Sequence, residues 1–507
     1  MIKRILLVDI EAKFCNQQNS QLNCKWIHHP IGLMYLASVG QKRFPDITFS
    51  IFHTATADNP LVKLRSLISD FKPDLIGLRS LSIAREYFIE IANLIHENNP
   101  NIPLVAGGPF PSSSYRNLLT SRIVDLVVIG EGEKTFINLI QHYMDNGCLP
   151  SDLPGTVVQK DNSQIMVNSP QVLIAELDTI PFPNYDLIDL SKYADYSNHA
   201  FMDSSNSAFI YTSRGCPYSC FYCHNLSGKQ VRRRSAENVL LEMREHINKR
   251  GIRDFVFVDD IFNVPMKAGK EILSLIIREL KNVRLNFPNG LRADQLDDEF
   301  IDLLEEAGTC QMAIAVETAS PRLQKIVGKN LNLEKAKKAI QTVSERFIVF
   351  CFFMIGFPTE TMEETMDTIR FAQDLDCITS PTLSIVRLYK GTALYEMLNP
   401  SEEQSKAIEN QEQQMFTPKL TDFPWFYGDL FSREKVPLQS QDIKKLRWEW
   451  MRSVFNNPSR IANSHNVVQK HFNHEQMIQL YRNLYDNPNF DDSNLKVLLG
   501  TNTKQTL

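Results

Sequence analysis

Apolar positions in residues 1–150 fall into two alternating kinds of run. Short continuous stretches rich in β-branched residues, "RILLVDI" (4–10), "TFSIFH" (48–53), "DLIGLRSL" (74–81), "IPLVAGG" (102–108) and "DLVVIGEG" (125–132), predict buried strands. Between them, "IGLMYLASVGQ", "NPLVKLRSLISDF", "REYFIEIANLIHEN" and "EKTFINLIQHYMDNG" space their apolar residues as one face of a helix does. Such alternation builds a parallel doubly wound sheet, whose ligands sit at the carboxyl ends of the strands. Three stretches after strands, "RSLSIA", "GGPFPSS" and "GEGE", are rich in Gly or Ser and fall at that edge. Tight turns and helix caps explain each one alone; their shared edge points to a large ligand.

Residues 151–204 change character. "GTVVQKDNSQIMVN" predicts a hairpin around Asp161-Asn162, and "LDTIPFPNYDLIDLSKY" is irregular and punctuated by Pro, so the segment reads as a packed linker. Alternation then resumes. "AFIYTSRG", "DFVFVDD", "VRLNFPNGL", "QMAIAVET", "FIVFCFFMIGFP" and "SPTLSIVRLYKGT" are six strand candidates separated by helix-period runs. They predict a parallel barrel, partial or full, over 205–398, with function at the strand carboxyl ends. Residues 399–507 read as a helical cap. The fold class is therefore α/β throughout, a Rossmann-like sheet (1–150) followed by a (β/α)6 barrel and a helical end.

Composition narrows the class. A chain of 507 residues with 43% hydrophobic and 22% charged residues suits a multidomain globular protein. The net charge of −5 argues against a broad nucleic-acid surface, and no apolar run reaches the ~18 residues of a membrane span. "MIKRILLVDI" begins as a signal peptide does, but Asp9 interrupts the apolar run and no small-residue cleavage site follows. Nine scattered cysteines, an odd number, argue against a disulfide framework and for a cytoplasmic location.

Three of the nine crowd into "SRGCPYSCFYCHN" (213–225), on the loop after the first barrel strand. Structural zinc takes four ligands, usually as two separated pairs, and His224 diverges from its neighbour Cys223. A soft set of three thiolates instead suits an iron–sulfur cluster with one iron left open to hold a reactant.

The spacing Cys216-x3-Cys220-x2-Cys223, with Tyr222 before the last cysteine, resembles that of the radical S-adenosylmethionine (SAM) superfamily. "PIGLMYLAS", "LVAGGPFPS", "VDLVVIGEGEKTF", "LDTIPFPNYDL", "RGCPYSCFYC", "VRRRSAENVLLEM", "FVFVDDIFNV", "VETASPRLQKIVGKN", "MIGFPTET" and "YKGTALYE" extend the resemblance to its cobalamin-binding branch. The resemblance implies that Cys216, Cys220 and Cys223 bind a [4Fe–4S] cluster whose open iron chelates SAM, and that reduction releases a 5′-deoxyadenosyl radical. It implies SAM contacts from Tyr222, from Asp259 or Asp260 at the methionine amino group, and from Glu317 and Ser320 at the ribose. Gly356 to Pro358 of "IGFP" would offer backbone groups to adenine. Helix capping is the plain alternative for the two aspartates, and an ion pair with Arg292 or Arg322 for Glu317.

For the N-terminal domain the resemblance implies cobalamin, with its tail passing Ser80, Leu81 and Ser82, then Gly107 and Gly108, then Gly130, Glu131, Gly132 and Glu133. Arg79 and Leu81 are the candidates to face cobalt. Relatives with Asp-x-His-x-x-Gly after the first strand ligate cobalt through that His. Here the stretch reads "DIEAKFCNQQ", so the corrin is expected base-off without a His ligand. His28 and His29 read as exposed loop residues, Arg232 to Arg234 as a solvated basic face or an anion attractor, and Cys310, Cys351 and Cys377 as core. Cys15 and Cys24 read as ordinary thiols. The aromatics Trp425, Phe426, Tyr427, Trp448 and Trp450 read as either cap core or substrate wall.

The implied activity is methylation of an unactivated carbon, less often phosphorus, of a small molecule or natural-product intermediate, with an external donor such as flavodoxin or ferredoxin and a monomeric chain. Cyclisation or ring rearrangement without methyl transfer is the alternative. Methylthiolation would need three more cluster cysteines and a nucleic-acid-binding tail, and a non-catalytic cofactor carrier would not need the barrel's polar rim.

Overall fold

The computed structural model describes residues 2–11, 27–160, 163–194, 196–198, 203–223, 227–412, 426–485, 487 and 489–500. Cys15, Cys24, His224, Trp425 and the Asp161-Asn162 turn lie outside the described residues. Two compact units divide between Tyr196 and Ser197.

The first unit holds strands β1 (Arg4–Ile10), β2 (Thr48–His53), β3 (Leu75–Ser80), β4 (Leu104–Gly107), β5 (Leu126–Val128), β6 (Thr156–Gln159) and β7 (Ile165–Val167). They form one sheet in the order β2-β1-β3-β4-β5-β6-β7. The first five are parallel and the β6–β7 hairpin adds an antiparallel edge. Helices α1 (Ile31–Arg43), α2 (Pro60–Phe71), α3 (Arg85–Asn98), α4 (Pro109–Thr120) and α5 (Gly132–Asn146) cover it. Alternate residues of β1 feed two cores: Leu6 and Val8 join Phe88 and Phe110, while Ile5 and Leu7 join Leu33 and Phe136. A strand with both faces buried must be apolar at every position, which is why these runs were continuous. The stretch "GGPFPSS", read from sequence as a loop, is instead the start of α4. Pro109 and Pro111 occupy its first turn, where the missing N–H costs nothing. The segment read as a linker supplies β6 and β7 and the buried Tyr185 and Tyr193 of this same unit.

In the second unit six parallel strands run in chain order: β8 (Ser207–Ile210), β11 (Asp254–Phe257), β12 (Arg284–Leu291), β13 (Thr309–Glu317), β14 (Ile348–Ile355) and β15 (Ser380–Ile385). β8 and β15 are the two edges, so the barrel is partial. A separate antiparallel ribbon pairs β9 (Ser213–Arg214) with β10 (Arg232–Arg233). The crossover helices are α6 (Ala236–Arg250), α7 (Met266–Glu279), α8 (Asp298–Glu306), α9 (Pro321–Ile326) with α10 (Leu333–Ser344), and α11 (Met362–Gln373). α8 shows the local logic: Asp297 caps it by accepting from Phe300 N at 2.8 Å, and Phe300, Ile301 and Leu304 face inward.

The C-terminal helices are α12 (Ala393–Leu398), α13 (Glu402–Glu412), α14 (Ser440–Trp450), α15 (Pro458–His471), α16 (His474–Leu484) and α17 (Asp492–Leu498). α14 and α15 close on the β15 edge. Trp450 packs 5.1 Å from Phe353 and donates to Pro381 O at 3.3 Å, and Arg460 donates to Ile378 O and Thr379 O. Phe426, Tyr427 and Trp450 are therefore core, while Trp448 is exposed.

Candidate active site

The three cysteines sit on a loop that the fold holds from both ends. Gly215 enters it at φ +96°, where an added Cβ would lie 2.4 Å from Gln230 O, so glycine is required. Its N–H donates to Asp260 Oδ2 at 2.9 Å. Farther along, Cys216 N donates to Gly228 O, Phe221 N to Val327 O and Leu394 N to Phe221 O. A hydrogen bond from the Cys223 thiol pulls Cys220 down to about 6, with help from the Lys329 ammonium, and pushes Cys223 up. Burial raises Cys216. Among the described residues no three His, Cys, Asp or Glu side chains are gathered to hold a single ion. The donor set is one of soft thiols, one of them already inclined to ionise, which suits an iron–sulfur cluster.

Asp259 and Asp260 follow β11, and neither caps a helix. Oδ1 of Asp259 accepts from the backbone and hydroxyl of Thr212 (2.9 and 2.9 Å) and from the hydroxyl (2.7 Å) and backbone of Ser213. The residue is 2% exposed, yet among the described residues Oδ2 has no hydrogen-bond partner. Burial raises its pKa against these donors. A carboxylate oxygen buried without a partner costs ~1–3 kcal/mol, so this position suits a cationic group. Asp260 is exposed and held by Gly215.

Glu317 ends β13 at φ +69°, a left-handed conformation for a non-glycine residue, beside a register shift. Its partners are Lys329 Nζ at 3.1 Å and the Tyr222 hydroxyl at 3.2 Å. Neither Arg292 nor Arg322 takes the role expected of it: Arg292 pairs with Asp294 and Arg322 with Glu364. Burial and then Glu317 push Tyr222 up. Ser320 caps α9 and donates to Glu364 Oε1 at 2.6 Å, so its hydroxyl is committed within the protein.

Among the backbone groups expected of Gly356 to Pro358 for adenine, the Gly356 N–H is already engaged within the protein. That N–H and the N–H of Phe357 both donate to the buried Glu360 (2.6 and 2.9 Å), while Gly356 O accepts from Tyr427. Burial raises Glu360 to about 7. Gly356, at φ +89°, would place a Cβ 2.6 Å from the Phe426 ring. Gly356 and Pro358 are both buried, so this turn is closed by Glu360, Tyr427 and Phe426.

The basic run is corrected. Arg232 and Arg234 are buried; Arg234 pairs with Glu242 on α6 and donates to Tyr211 O, and Arg233 donates to Phe262 O and Val264 O. These arginines brace the ribbon and the β11 loop. Cys310 and Cys351 are buried as expected, and Cys377 is half-buried.

In the first unit the expected positions follow three neighbouring parallel strands: Ser80 to Ser82 after β3, Gly107 and Gly108 after β4, and Gly130 to Glu133 after β5. Gly108 adopts φ +88°, and a Cβ there would lie 2.9 Å from Arg79 Cγ; at Gly130, φ +83°, an added Cβ would meet nothing within 4 Å among the described residues. This is a backbone edge open to a broad ligand. Ser80 is buried and donates to Leu81 O, whereas Leu81 and Ser82 face outward in part. Glu131 accepts from Ile174 N, and Glu133 is buried at the start of α5. Arg79 is held on Asp9 at 2.9 and 3.2 Å. His29 is not an exposed loop residue: it is 3% exposed, edge-on to Tyr185 and Tyr193. His28 lies 3.9 Å from Glu11, which His53 also engages at 3.0 Å; these bonds bring Glu11 to about 2 although burial raises it.

Sequence reasoning missed Lys329 and Glu360, and read Tyr427 only as cap core or substrate wall. Lys329 and Glu360 stood inside quoted motifs, but their partners are set by the fold.

A family profile described as "B12 binding domain" matches residues 22–140, and one described as "Radical SAM superfamily" matches 210–372. An "Uncharacterized methyltransferase" of Pyrococcus horikoshii is 30% identical over 374 residues, 72% of this chain and 78% of that protein. The cytidylyl-2-hydroxyethylphosphonate methyltransferase of Streptomyces wedmorensis is 26% identical over 68% of this chain and 73% of its own length. Among solved structures, a cobalamin-dependent SAM radical enzyme, OxsB, with aqua-cobalamin and SAM bound, superposes with a TM-score of 0.68 at 15% identity, covering 99% of this chain and 75% of that one. No helix among the described residues is long and apolar enough to cross a membrane. With a three-thiol loop at one strand edge and an open glycine edge on the other sheet, this chain belongs to the cobalamin-binding radical SAM enzymes, whose cofactors are a [4Fe–4S] cluster, SAM and cobalamin.

Proposed function

We propose that this chain methylates an unactivated carbon, less often phosphorus, of a small molecule. The observation that carries methyl transfer is the likeness to two methyltransferases over most of the chain; Asp259 supports the SAM site, because it holds Thr212 and Ser213 through Oδ1 and leaves Oδ2 buried with no hydrogen-bond partner among the described residues.

Cys216, Cys220 and Cys223 hold the cluster, and Asp260 fixes the loop through Gly215. Asp259 Oδ2 accepts from the ammonium of SAM, a charge-assisted bond that offsets the burial of both groups. Glu317 takes the ribose hydroxyls; Tyr222 orients it. Ser320 acts on this rim through α9 and Glu364, and Glu360 fixes the Gly356–Pro358 turn at the end of β14. In the first unit, Gly107, Gly108 and Gly130 let the backbone approach the corrin and its tail, which Leu81, Ser82 and the 131–133 turn flank. The position two after Asp9 is Glu11, tied to His53, so this chain would offer cobalt no His ligand there. When bound, these cofactors supply a hydrogen-abstracting radical and a transferable methyl group. An external flavodoxin or ferredoxin delivers the electron, and the chain acts as a cytoplasmic monomer.

The test incubates reduced, reconstituted protein with SAM carrying a deuterated methyl group and a small-molecule extract from a strain lacking this protein. Expected are 5′-deoxyadenosine, S-adenosylhomocysteine and one product bearing the label. Both radical turnover and a changed but unlabelled product would assign cyclisation or rearrangement instead and contradict methyl transfer.

A further inference from the structure

The Val327–Asn330 turn, after α9, is built against the cysteine loop. Phe221 N donates to Val327 O at 3.0 Å. Gly328, at φ +71°, would place a Cβ 2.5 Å from Ser219 O and 3.8 Å from Cys220 Cα, so backbone lies against backbone. Arg292 staples the two from outside. It donates to Lys329 O and Asn330 O at 3.0 Å each, and its guanidinium stands 3.9 Å from the ring centroid of Tyr218, a loop residue.

The turn delivers the Lys329 ammonium to the end of β13, 3.1 Å from Glu317 Oε1, with only 12% and 9% of the two side chains exposed. The same oxygen accepts from Tyr222, the neighbour of Cys223. Burial of this pair removes solvent screening, so each charge acts on the cysteine loop with little attenuation.

We infer that Lys329 is a positioning residue for the redox step: the turn fixes its positive charge against the cysteine loop and so raises the potential at which the cluster takes up its electron. This rests on the reading that the three cysteines bind the cluster. One electron passes from a low-potential flavin or iron–sulfur donor to the oxidised cluster, adding one negative charge with no proton or bond change. A nearby cation favours that product. Removing Lys329 also leaves Glu317 uncompensated, so both effects make reduction harder, while neutralising Glu317 does the opposite.

The experiment is a potentiometric titration followed by electron paramagnetic resonance on anaerobically reconstituted full-length protein without SAM. Wild type, K329M, K329R and E317Q are compared, with iron counted in each. Expected is a tenfold weaker reduction equilibrium in K329M, a fall of ~59 mV for a one-electron couple, restoration in K329R and a rise in E317Q. A wild-type potential in iron-replete K329M, or shifts of the same sign in K329M and E317Q, overturns the inference. If K329M loses iron, E317Q decides alone, an unchanged potential counting against. Wild-type protein that takes up no iron contradicts the cluster reading itself.

Discussion

The carboxyl edge of the first sheet and that of the barrel are built on opposite terms. In the first unit the charges are closed and glycines shape the backbone edge: Asp9 is held by Arg79 and Glu11 by His53, while Gly108 lies close against Arg79 and Gly130 stands in open space, both at positive φ. In the second the backbone is closed and a charge is open. Gly215, Gly356 and Phe357 have their amides taken by Asp260 and Glu360, and the buried Oδ2 of Asp259 has no hydrogen-bond partner among the described residues. A broad corrin is held by shape, which needs close backbone approach. A compact cluster and a zwitterionic ligand are held by valence and charge, which need few atoms placed rigidly.

The largest test of this contrast is G108V. A β-branched residue at φ +88° costs on the order of 1–3 kcal/mol, and its Cβ would collide with Arg79 Cγ and loosen the Arg79–Asp9 pair. Cobalamin affinity should fall at least tenfold by absorbance titration while iron content stays that of wild type. G130A, strained but in open space, should lose less. Loss of iron in G108V would break the contrast.

A smaller effect concerns Glu360, the acceptor behind Gly356. Its folded pKa of about 7 lies above the ordinary carboxyl value of 4.5. Between those values the folded state binds more proton than the unfolded one, so stability falls as pH rises from 4.5 to 7. The full effect is on the order of 3 kcal/mol. E360Q keeps an acceptor for the two amides and should flatten that slope when melting of the cofactor-free protein is compared at pH 5 and pH 7.5. An equal slope in both proteins would count against a buried titrating carboxyl.

How much of this was readable beforehand follows from where each partner lies. Eleven strands came from apolar runs, because a doubly buried strand writes its burial into every position. α4 did not, since "PFPSSSYRNLLT" carries turn residues that here serve as a helix start. The cysteine loop was legible because its chemistry is local, within eight positions. Arg232 to Arg234 were misread because what buries them, the pairing with β9 and Glu242 eight residues on, is invisible in a run of like charges. Asp259 finds Thr212 and Ser213 some 47 residues back, and Glu317 finds Lys329 twelve residues ahead across a turn. Residue type announced a site there; only the fold could say which oxygen was spent and which left over.

The most direct measurement of the central claim reads the cluster and its open iron together. Wild type and C220A are reconstituted anaerobically, iron is counted, and the reduced cluster's paramagnetic spectrum is recorded with and without SAM. The account predicts about four irons per wild-type chain, a spectrum altered by SAM, and neither in C220A, which should still bind cobalamin. A wild-type spectrum indifferent to SAM, or full iron in C220A, would contradict it.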